Sequence, residues 1–150
     1  MIDERWMAAA LQEALKSAND VPVGALIVKD GVLIGAGHNE RESSNDPTAH
    51  AEIVALRQAA AYLGDWRLNG TNLYTTLEPC PMCAEAILQA RVSRIVFGAY
   101  DYKSGALGSV FNLYCKGRIY PIPEVIGGIM EGPCQNILVE FFRSMTTSSE

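Results

Sequence analysis

The chain has 150 residues, a formal net charge of −5, and 49% hydrophobic and 19% charged residues. This balance excludes a disordered chain and supplies one core, so we predict a single domain over residues 1–150. The acidic charge argues against a general nucleic-acid coat, which needs a basic face, and favours an enzyme that acts on something small. No apolar run approaches the roughly 18 residues of a membrane span, and the first residues do not resemble a secretory signal. We therefore expect a cytoplasmic protein without membrane or DNA partners.

The first part of the chain predicts a helix and a hairpin. Apolar residues at helical spacing predict a helix over 3–18. A continuous apolar run predicts a strand over 21–28, and Asp30-Gly31 indicates a tight turn to a second strand over 32–38. Three strand glycines either allow another element or a ligand to approach the backbone closely or mark bulges, and both interpretations stay open. They are Gly24, Gly35 and Gly37.

The middle of the chain predicts a loop, a helix and a third strand. Residues 39–47 are polar and predict a loop without an element of its own. Asp46-Pro47-Thr48 is typical of a helix start with proline in the first turn, so a helix is expected over 48–63. Asn69-Gly70 indicates a turn into a third strand over 71–77.

The rest of the chain completes a mixed sheet. A helix over 80–91 and a fourth strand over 94–99 follow the third strand, which favours a parallel pair with a right-handed crossover. The remaining predictions are a loop-rich region over 100–123 with a short helix at 110–113, a fifth strand over 124–130 weakened by Gly127-Gly128, a helix over 134–145 and a frayed tail over 146–150. These elements predict an α/β fold: a three-layer α/β/α sandwich with a five-stranded mixed sheet covered by helices.

Three residues with metal-ligand chemistry lie at the starts of two predicted helices: His50, Cys80 and Cys83. Imidazole nitrogen and thiolate sulfur are donors that zinc prefers, and three protein ligands leave one tetrahedral position open. Glu52 lies two residues after His50, close enough in the chain to exchange protons at that position without filling it. The residues therefore favour one catalytic Zn²⁺ with Glu52 as the proton carrier.

Two other uses of these cysteines stay open at this point. Cys-x-x-Cys also occurs as a redox pair, although a redox pair gives a His-x-Glu sequence no role. A closed structural zinc with Cys115 or Cys134 as its fourth ligand would leave Glu52 without a function; otherwise these two cysteines are expected to be free thiols. We expect Glu78 to orient backbone or side chains near the metal site, and His38 not to be a ligand.

The motifs His50-Ala51-Glu52 and Pro79-Cys80-Pro81-Met82-Cys83 resemble those of the zinc-dependent nucleobase deaminases. The flanking segments more closely resemble the bacterial tRNA-specific adenosine deaminases, over roughly residues 3–143. The segments that carry this resemblance are 21–25, 46–53, 77–84, 98–109 and Phe141-Phe142-Arg143. Membership of that family implies a cytidine deaminase-like fold and a homodimer. It also implies hydrolysis of adenosine to inosine at the wobble position of a tRNA anticodon, with release of ammonia.

The resemblance also implies residue roles. His50, Cys80 and Cys83 would bind Zn²⁺, one ion per subunit, and Glu52 would be the proton shuttle. Substrate contacts would come from five further residues. Asn39 falls at a base-contacting asparagine, Asp101 and Lys103 fall in a loop near the nucleotide backbone and ribose, and Phe142 and Arg143 match the helix segment beside the anticodon loop.

Three segments depart from the family pattern, all where RNA would be held. Ser144-Met145-Thr146-Thr147 replaces further Arg and Lys, Tyr100 stands where Arg is common, and residues 120–125 replace an Asn-His-Arg-Val run. A tyrosine at position 100 could stack on a base or fill space. The acidic charge and the missing basic tail favour an alternative, a free-base or nucleoside deaminase of the guanine or cytosine type with the same zinc site. A zinc-stabilised RNA-binding module whose metal has four protein ligands is a third hypothesis.

Overall fold

The computed structural model describes residues 1–148 of the chain. Its strands are β1 (Gly24–Lys29), β2 (Val32–His38), β3 (Thr71–Leu77), β4 (Arg94–Ala99) and β5 (Glu124–Ile126). Its α-helices are α1 (Ile2–Ala14), α2 (Arg41–Ser44), α3 (Ala51–Leu63), α4 (Pro81–Gln89) and α5 (Glu131–Ser148), and a 3-10 turn over Leu15–Ser17 follows α1. Within residues 1–148, none of the helices combines the length and apolar character that a membrane crossing requires.

The strands form one mixed sheet in the order β2-β1-β3-β4-β5. Strand β1 pairs antiparallel with both β2 and β3, whereas β3–β4 and β4–β5 are parallel. The parallel β3–β4 pair is joined through α4, as the strand–helix–strand pattern predicts. The predicted five-stranded mixed sheet is confirmed.

Helices cover both faces of the sheet. Strand β1 contributes Ala25 and Ile27 to a core shared with α3 and α4, and it contributes Leu26 and Val28 to a second core shared with α1 and α5. Successive strand residues point to opposite faces, so a strand buried on both sides must be apolar throughout. The predicted three-layer α/β/α sandwich is thus confirmed.

Two glycines of β2 allow helix α3 to lie directly on the sheet. A Cβ atom at Gly35 or Gly37 would meet the backbone carbonyls of Ala55 and Ala51 in α3. The close-approach interpretation therefore holds at these positions, while the register shift opposite Ile27 and Val28 lies beside them. The tight contact fixes the start of α3, which carries His50, against the sheet.

The region before α3 differs from the prediction. Helix α3 begins at Ala51 and not at Thr48, because the Asp46 carboxylate accepts hydrogen bonds from the Thr48 backbone N–H (2.9 Å) and hydroxyl (2.8 Å) and closes a local turn. Asp and Thr make such turns as readily as they cap helices. The predicted loop over 39–47 was also wrong in part, since it contains the short helix α2.

Several element bounds in the second half were also wrong. No helix forms at 110–113; the backbone N–H groups of Val110 and Phe111 instead donate to the Gly105 carbonyl, and a β-bridge joins Leu107 and Asn112. Strand β5 ends at Ile126 and not at residue 130; the next residue, a glycine, packs so closely on the Phe97 ring that a Cβ atom there would overlap it. Helix α5 starts at residue 131, three residues earlier than predicted, and continues to residue 148, so the predicted frayed tail was wrong for 146–148. Residues 149–150 of that tail lie outside the described residues.

Candidate active site

The starts of two neighbouring helices bring the predicted metal ligands together. His50 is the N-cap residue of α3 and Cys80 is the N-cap residue of α4, and both have extended backbone conformations. Pro81 occupies the first position of α4, where its missing N–H has no helical partner to lose. Cys83 follows within the first turn, so its thiol lies on the same side of the helix start as that of Cys80.

The distances within this cluster fit a tetrahedral metal ion. The Nδ1 atom of His50 lies 3.6 Å from the Cys80 Sγ and 3.5 Å from the Cys83 Sγ, and the three ligand atoms lie within 4.8 Å of one another. Zinc bound at about 2.0 Å to nitrogen and about 2.3 Å to sulfur would separate these atoms by roughly 3.5 Å. Cys83 is buried while His50 and Cys80 are half-buried, so the cluster is accessible from one side. One nitrogen and two sulfur donors are a set that zinc favours.

The two thiols of the cluster differ in acidity. Hydrogen bonding from Cys83 lowers the pKa of Cys80 to about 4, with the His50 imidazole as a further favourable partner. Cys80 is therefore a thiolate at neutral pH, because hydrogen bonds from Cys83 and His50 stabilise its negative charge. Metal binding requires both thiols to be deprotonated, and Cys80 meets this requirement before a metal arrives.

Glu52 lies in the first turn of α3 beside the three ligands and is only 4% exposed. Burial, with a smaller contribution from the nearby Cys80 sulfur, raises the pKa of its carboxyl group to about 7. A carboxyl group with a pKa near the working pH both accepts and releases protons readily. Its position and acidity suit proton transfer at the open side of the cluster.

The two other cysteines are separate from this cluster. Cys134 is buried in the core between the sheet and α5, on the opposite face from α3 and α4, and burial raises the pKa of its thiol to about 11. Cys115 is exposed, and both are free thiols. Neither belongs to the three-residue metal cluster, which among residues 1–148 is the one group of this kind. This arrangement gives no support to a closed structural zinc.

Asn39 has a structural role that the sequence did not indicate. Its side-chain NH₂ donates to the Val21 carbonyl (2.8 Å), and its side-chain oxygen accepts from the Ala51 backbone N–H (2.8 Å). The side chain thereby joins the segment before β1 to the start of α3. One N–H and one acceptor lone pair remain on the amide. Asn39 therefore lies at the start of α3, next to the ligand His50, and its contact with substrate stays a prediction.

Glu78 organises the loop that follows β4. Its buried carboxylate accepts hydrogen bonds from the backbone N–H groups of Asp101 (3.1 Å), Leu107 (3.0 Å) and Ser109 (3.2 Å), and also from the Ser109 hydroxyl. The expected orienting role of Glu78 is therefore confirmed. Because Pro79 alone separates Glu78 from Cys80, the same short segment fixes both the metal ligand and the loop.

The remaining predicted substrate residues are not part of the metal cluster. Asp101 caps a turn, because its carboxylate accepts hydrogen bonds from the backbone of Lys103 and from the backbone and hydroxyl of Ser104. Together with Phe142 of α5, Asp101 and Lys103 line a groove of about 560 Å³. Arg143 follows on α5 and is exposed.

His38 is held away from the metal cluster. Its Nδ1 atom lies 3.0 Å from a Glu13 carboxylate oxygen, and its Nε2 atom lies 3.9 Å from Glu40. The expectation that His38 is not a ligand agrees with this arrangement.

Known proteins match the chain over most of its length. The family profile of the cytidine and deoxycytidylate deaminase zinc-binding region matches residues 1–99. The tRNA-specific adenosine deaminase of Bacillus subtilis (strain 168) is 43% identical over 145 residues, which cover 95% of this chain and 90% of that protein.

Two solved structures share the fold. One, from a study of A-to-I editing by tRNA:A34 deaminases at the wobble position of transfer RNA, has a TM-score of 0.86 and 42% identity over 89% of this chain and 99% of the other. The guanine deaminase of Nitrosomonas europaea has a TM-score of 0.77 and 25% identity over 92% of this chain and 83% of the other. The chain therefore belongs to the cytidine and deoxycytidylate deaminase family and, within it, to the tRNA-specific adenosine deaminases.

Proposed function

We propose that this protein deaminates adenosine to inosine at the wobble position of a tRNA anticodon. The observation that carries the proposal is the cluster of His50, Cys80 and Cys83 with the buried carboxyl group of Glu52 beside it. The similarity to tRNA-specific adenosine deaminases over nearly the whole chain selects the substrate.

In this proposal His50, Cys80 and Cys83 hold one Zn²⁺ per subunit. Bound zinc supplies Lewis acidity and lowers the pKa of water at its open position. Glu52 accepts the proton released when water adds to C6 of adenine and delivers a proton to the ring nitrogen N1. Glu52 then takes the proton of the new C6 hydroxyl and transfers it to the amine, which leaves as ammonia when the bond between C6 and the amine nitrogen breaks and the C6 carbonyl forms. One adenosine and one water thus become one inosine and one ammonia.

The substrate contacts follow from the residues around the cluster. The remaining N–H and lone pair of Asn39 meet the edge of the base, since the amide both donates and accepts. Asp101, Lys103, Phe142 and Arg143 contact the flanking nucleotides. The adenosine must leave its stack to reach Glu52, which costs a few kcal/mol and least in an unpaired loop. An anticodon loop meets this condition.

We also propose a homodimer, as the family resemblance implies. Trp66 follows the end of α3, lies beside the outer face of α3 and α4 and is half-exposed, with the guanidinium groups of Arg67 and Arg91 at 4.4 Å and 5.5 Å from its ring centre. Arg91 also lies 4.1 Å from the ring centre of Tyr120. Aromatic and arginine side chains are the residues that most often anchor protein interfaces.

We infer that the enzyme works in the cytoplasm. All four cysteines are free thiols, and one of them, Cys115, is exposed. Reducing compartments maintain such thiols, whereas oxidising compartments do not.

The second candidate function is deamination of a free base, with the same zinc site. Two observations favour it: the structural likeness to a guanine deaminase and the net charge of −5, which gives little general attraction to RNA.

One experiment distinguishes these functions. Zinc-loaded protein is incubated with an anticodon stem-loop RNA that carries adenosine at the wobble position, and separately with free adenosine, guanine and cytosine. Inosine in the RNA supports the proposal. Ammonia from a free base with the RNA unchanged would assign the protein to the second candidate and reject the first.

A further inference from the structure

Two tyrosines in the loop after β4 form a stacked pair at the surface. The rings of Tyr100 and Tyr102 lie 6.4 Å apart between centres with an interplanar angle of 21°. Tyr100 packs edge-on against the buried Phe97 at 5.0 Å, so the pair is anchored to the core of the sheet. Tyr102 is 74% exposed, which leaves one ring face open to solvent.

The pair belongs to the wall of the groove of about 560 Å³ described above. Phe142, which is 50% exposed, lines the groove from helix α5, and Val21 and Leu77 also contribute. Lys103 places one cation in the wall of a cavity whose other side chains are largely aromatic or aliphatic.

Two short segments connect the wall of this groove to residues of the active site. The Val21 carbonyl accepts the hydrogen bond from Asn39, whose side chain also holds the start of α3 at Ala51. Leu77 is followed directly by Glu78, Pro79 and the ligand Cys80. A strand of RNA whose adenosine enters the active site would therefore pass its neighbouring nucleotides over this groove.

The loop geometry is fixed before a ligand arrives. The Glu78 carboxylate holds the Asp101 backbone N–H, and the Asp101 carboxylate holds the backbone N–H groups of Lys103 and Ser104. Tyr102 lies between these anchored residues. A preorganised aromatic surface loses little conformational entropy when a ligand stacks on it.

We propose that Tyr100, Tyr102 and Phe142 form a stacking surface for the unpaired bases next to the target adenosine, with Lys103 near their phosphates. This inference rests on the function proposed above. Every base has a π face, so stacking on aromatic rings binds single-stranded RNA without regard to sequence and without a large positive charge. Stacking explains how a chain with net charge −5 holds an RNA loop.

The test measures RNA affinity in a Glu52→Gln background, which prevents turnover. A labelled anticodon stem-loop with adenosine at the wobble position is titrated and followed by fluorescence anisotropy at several salt concentrations. Tyr102→Ala should weaken binding by roughly 5-fold to 100-fold, and Tyr102→Phe should bind like the parent. Tyr62→Ala is the matched control, because Tyr62 is 65% exposed and does not line the groove.

The salt dependence separates stacking from charge. Tyr102→Ala should leave the slope of log K against log salt unchanged, whereas Lys103→Gln should reduce it by about 0.7 if it removes one phosphate contact. Circular dichroism and zinc content should be the same for Tyr102→Ala and the parent, since the side chain is exposed.

Three results would overturn the inference, and they are distinguishable. If Tyr102→Ala does not change the RNA affinity of the Glu52→Gln protein, while the protein with Glu52 intact converts the RNA, the stacking surface alone is rejected. If the protein with Glu52 intact neither binds nor converts the RNA, the proposed function is rejected and the stacking surface with it. Weaker binding that accompanies a change of oligomeric state in sedimentation would mean that this face joins two copies of the chain.

Discussion

The proton transfer assigned to Glu52 can be removed without a change in the size of the side chain. Glu52→Gln keeps the size and hydrogen-bonding capacity of the side chain but removes proton transfer, so kcat on the stem-loop RNA should fall by about 100-fold to 10,000-fold or more. Zinc content, measured by mass spectrometry, should stay at one ion per chain.

A pair of cysteine variants controls for this result. Cys83→Ala should lose the metal, because Cys83 supplies one of three ligand atoms. Cys115→Ala should keep both metal and activity, since Cys115 is exposed and outside the cluster. Loss of zinc in Glu52→Gln would make Glu52 a ligand and contradict its assigned role.

At the scale of elements, the contact between β2 and α3 sets the position of the metal cluster. Gly37→Ala would place a Cβ atom against the Ala51 carbonyl and the Ala55 backbone nitrogen. Helix α3 must then shift, which should lower the free energy of unfolding by about 1–3 kcal/mol and weaken zinc binding at His50. Urea denaturation and zinc titration measure the two effects.

Gly132 in α5 provides the comparison for Gly37. A Cβ atom there meets no other group within 4 Å, so Gly132→Ala should leave zinc binding unchanged and stabilise the protein by up to about 1 kcal/mol. If Gly37→Ala behaved like Gly132→Ala, the close packing of α3 on β2 would not control the site.

Helix α1 is attached to the sheet by a polar contact at Asp3. The Asp3 carboxylate accepts hydrogen bonds from the Arg94 guanidinium at 2.9 Å and 2.6 Å and from the Tyr74 hydroxyl at 2.8 Å. Removing this charge by Asp3→Asn should cost about 1–3 kcal/mol at pH 7 in thermal or urea unfolding. Asp65→Asn, at an exposed pair with Arg67, should change stability little.

The pH dependence of the Asp3 effect has a definite sign. Hydrogen bonds from Arg94 lower the pKa of Asp3 below its usual value of 3.8. A carboxyl group with a lowered pKa in the folded state stabilises the protein above its unfolded pKa and loses that contribution as the pH falls through the folded one. The stability difference between wild type and Asp3→Asn should therefore be constant above pH 5 and shrink below about pH 4. A difference that grew on acidification would contradict this assignment.

Local pattern predicted most elements but placed the starts of three of them, β1, α3 and α5, three residues away from the observed ones. Apolar period and the Asp30-Gly31 turn are short-range signals, and they located the sheet and its covering helices. The start of α3 was placed three residues early because Asp46 serves equally well in a helix cap and in a local turn. The choice depends on Asn39, which holds the Ala51 N–H from twelve residues away.

The candidate site also has one part that local sequence predicted and one part that it did not. His50, Cys80 and Cys83 are recognisable from spacing, because each ligand lies at a helix start and the donor types are diagnostic. The groove beside them was not predictable from local sequence, since it forms only when α5 packs beside the loop that Glu78 holds. Contacts of that kind depend on the closed fold.

At the scale of the whole molecule, we expect two copies of the chain to associate. If the surface around Trp66 forms the homodimer, Trp66→Glu should convert the protein to a monomer in sedimentation velocity, because the change removes the aromatic anchor and adds a carboxylate that must lose its hydration on association. Leu15→Glu is the control, since Leu15 is 63% exposed at the end of α1 on the other side of the sheet. A dimer that survives Trp66→Glu would place the interface elsewhere.

The hydrogen bonds of Glu78 determine which residues of its loop can be substituted while the loop keeps its conformation. Three of the four hydrogen bonds to that carboxylate come from backbone N–H groups, which every residue except proline provides. Mutations at Tyr100 and Tyr102 can therefore accumulate without loss of the loop conformation and without disturbing Cys80 two residues away from Glu78. The structure therefore allows substitutions that change substrate preference to leave the hydrolytic site intact.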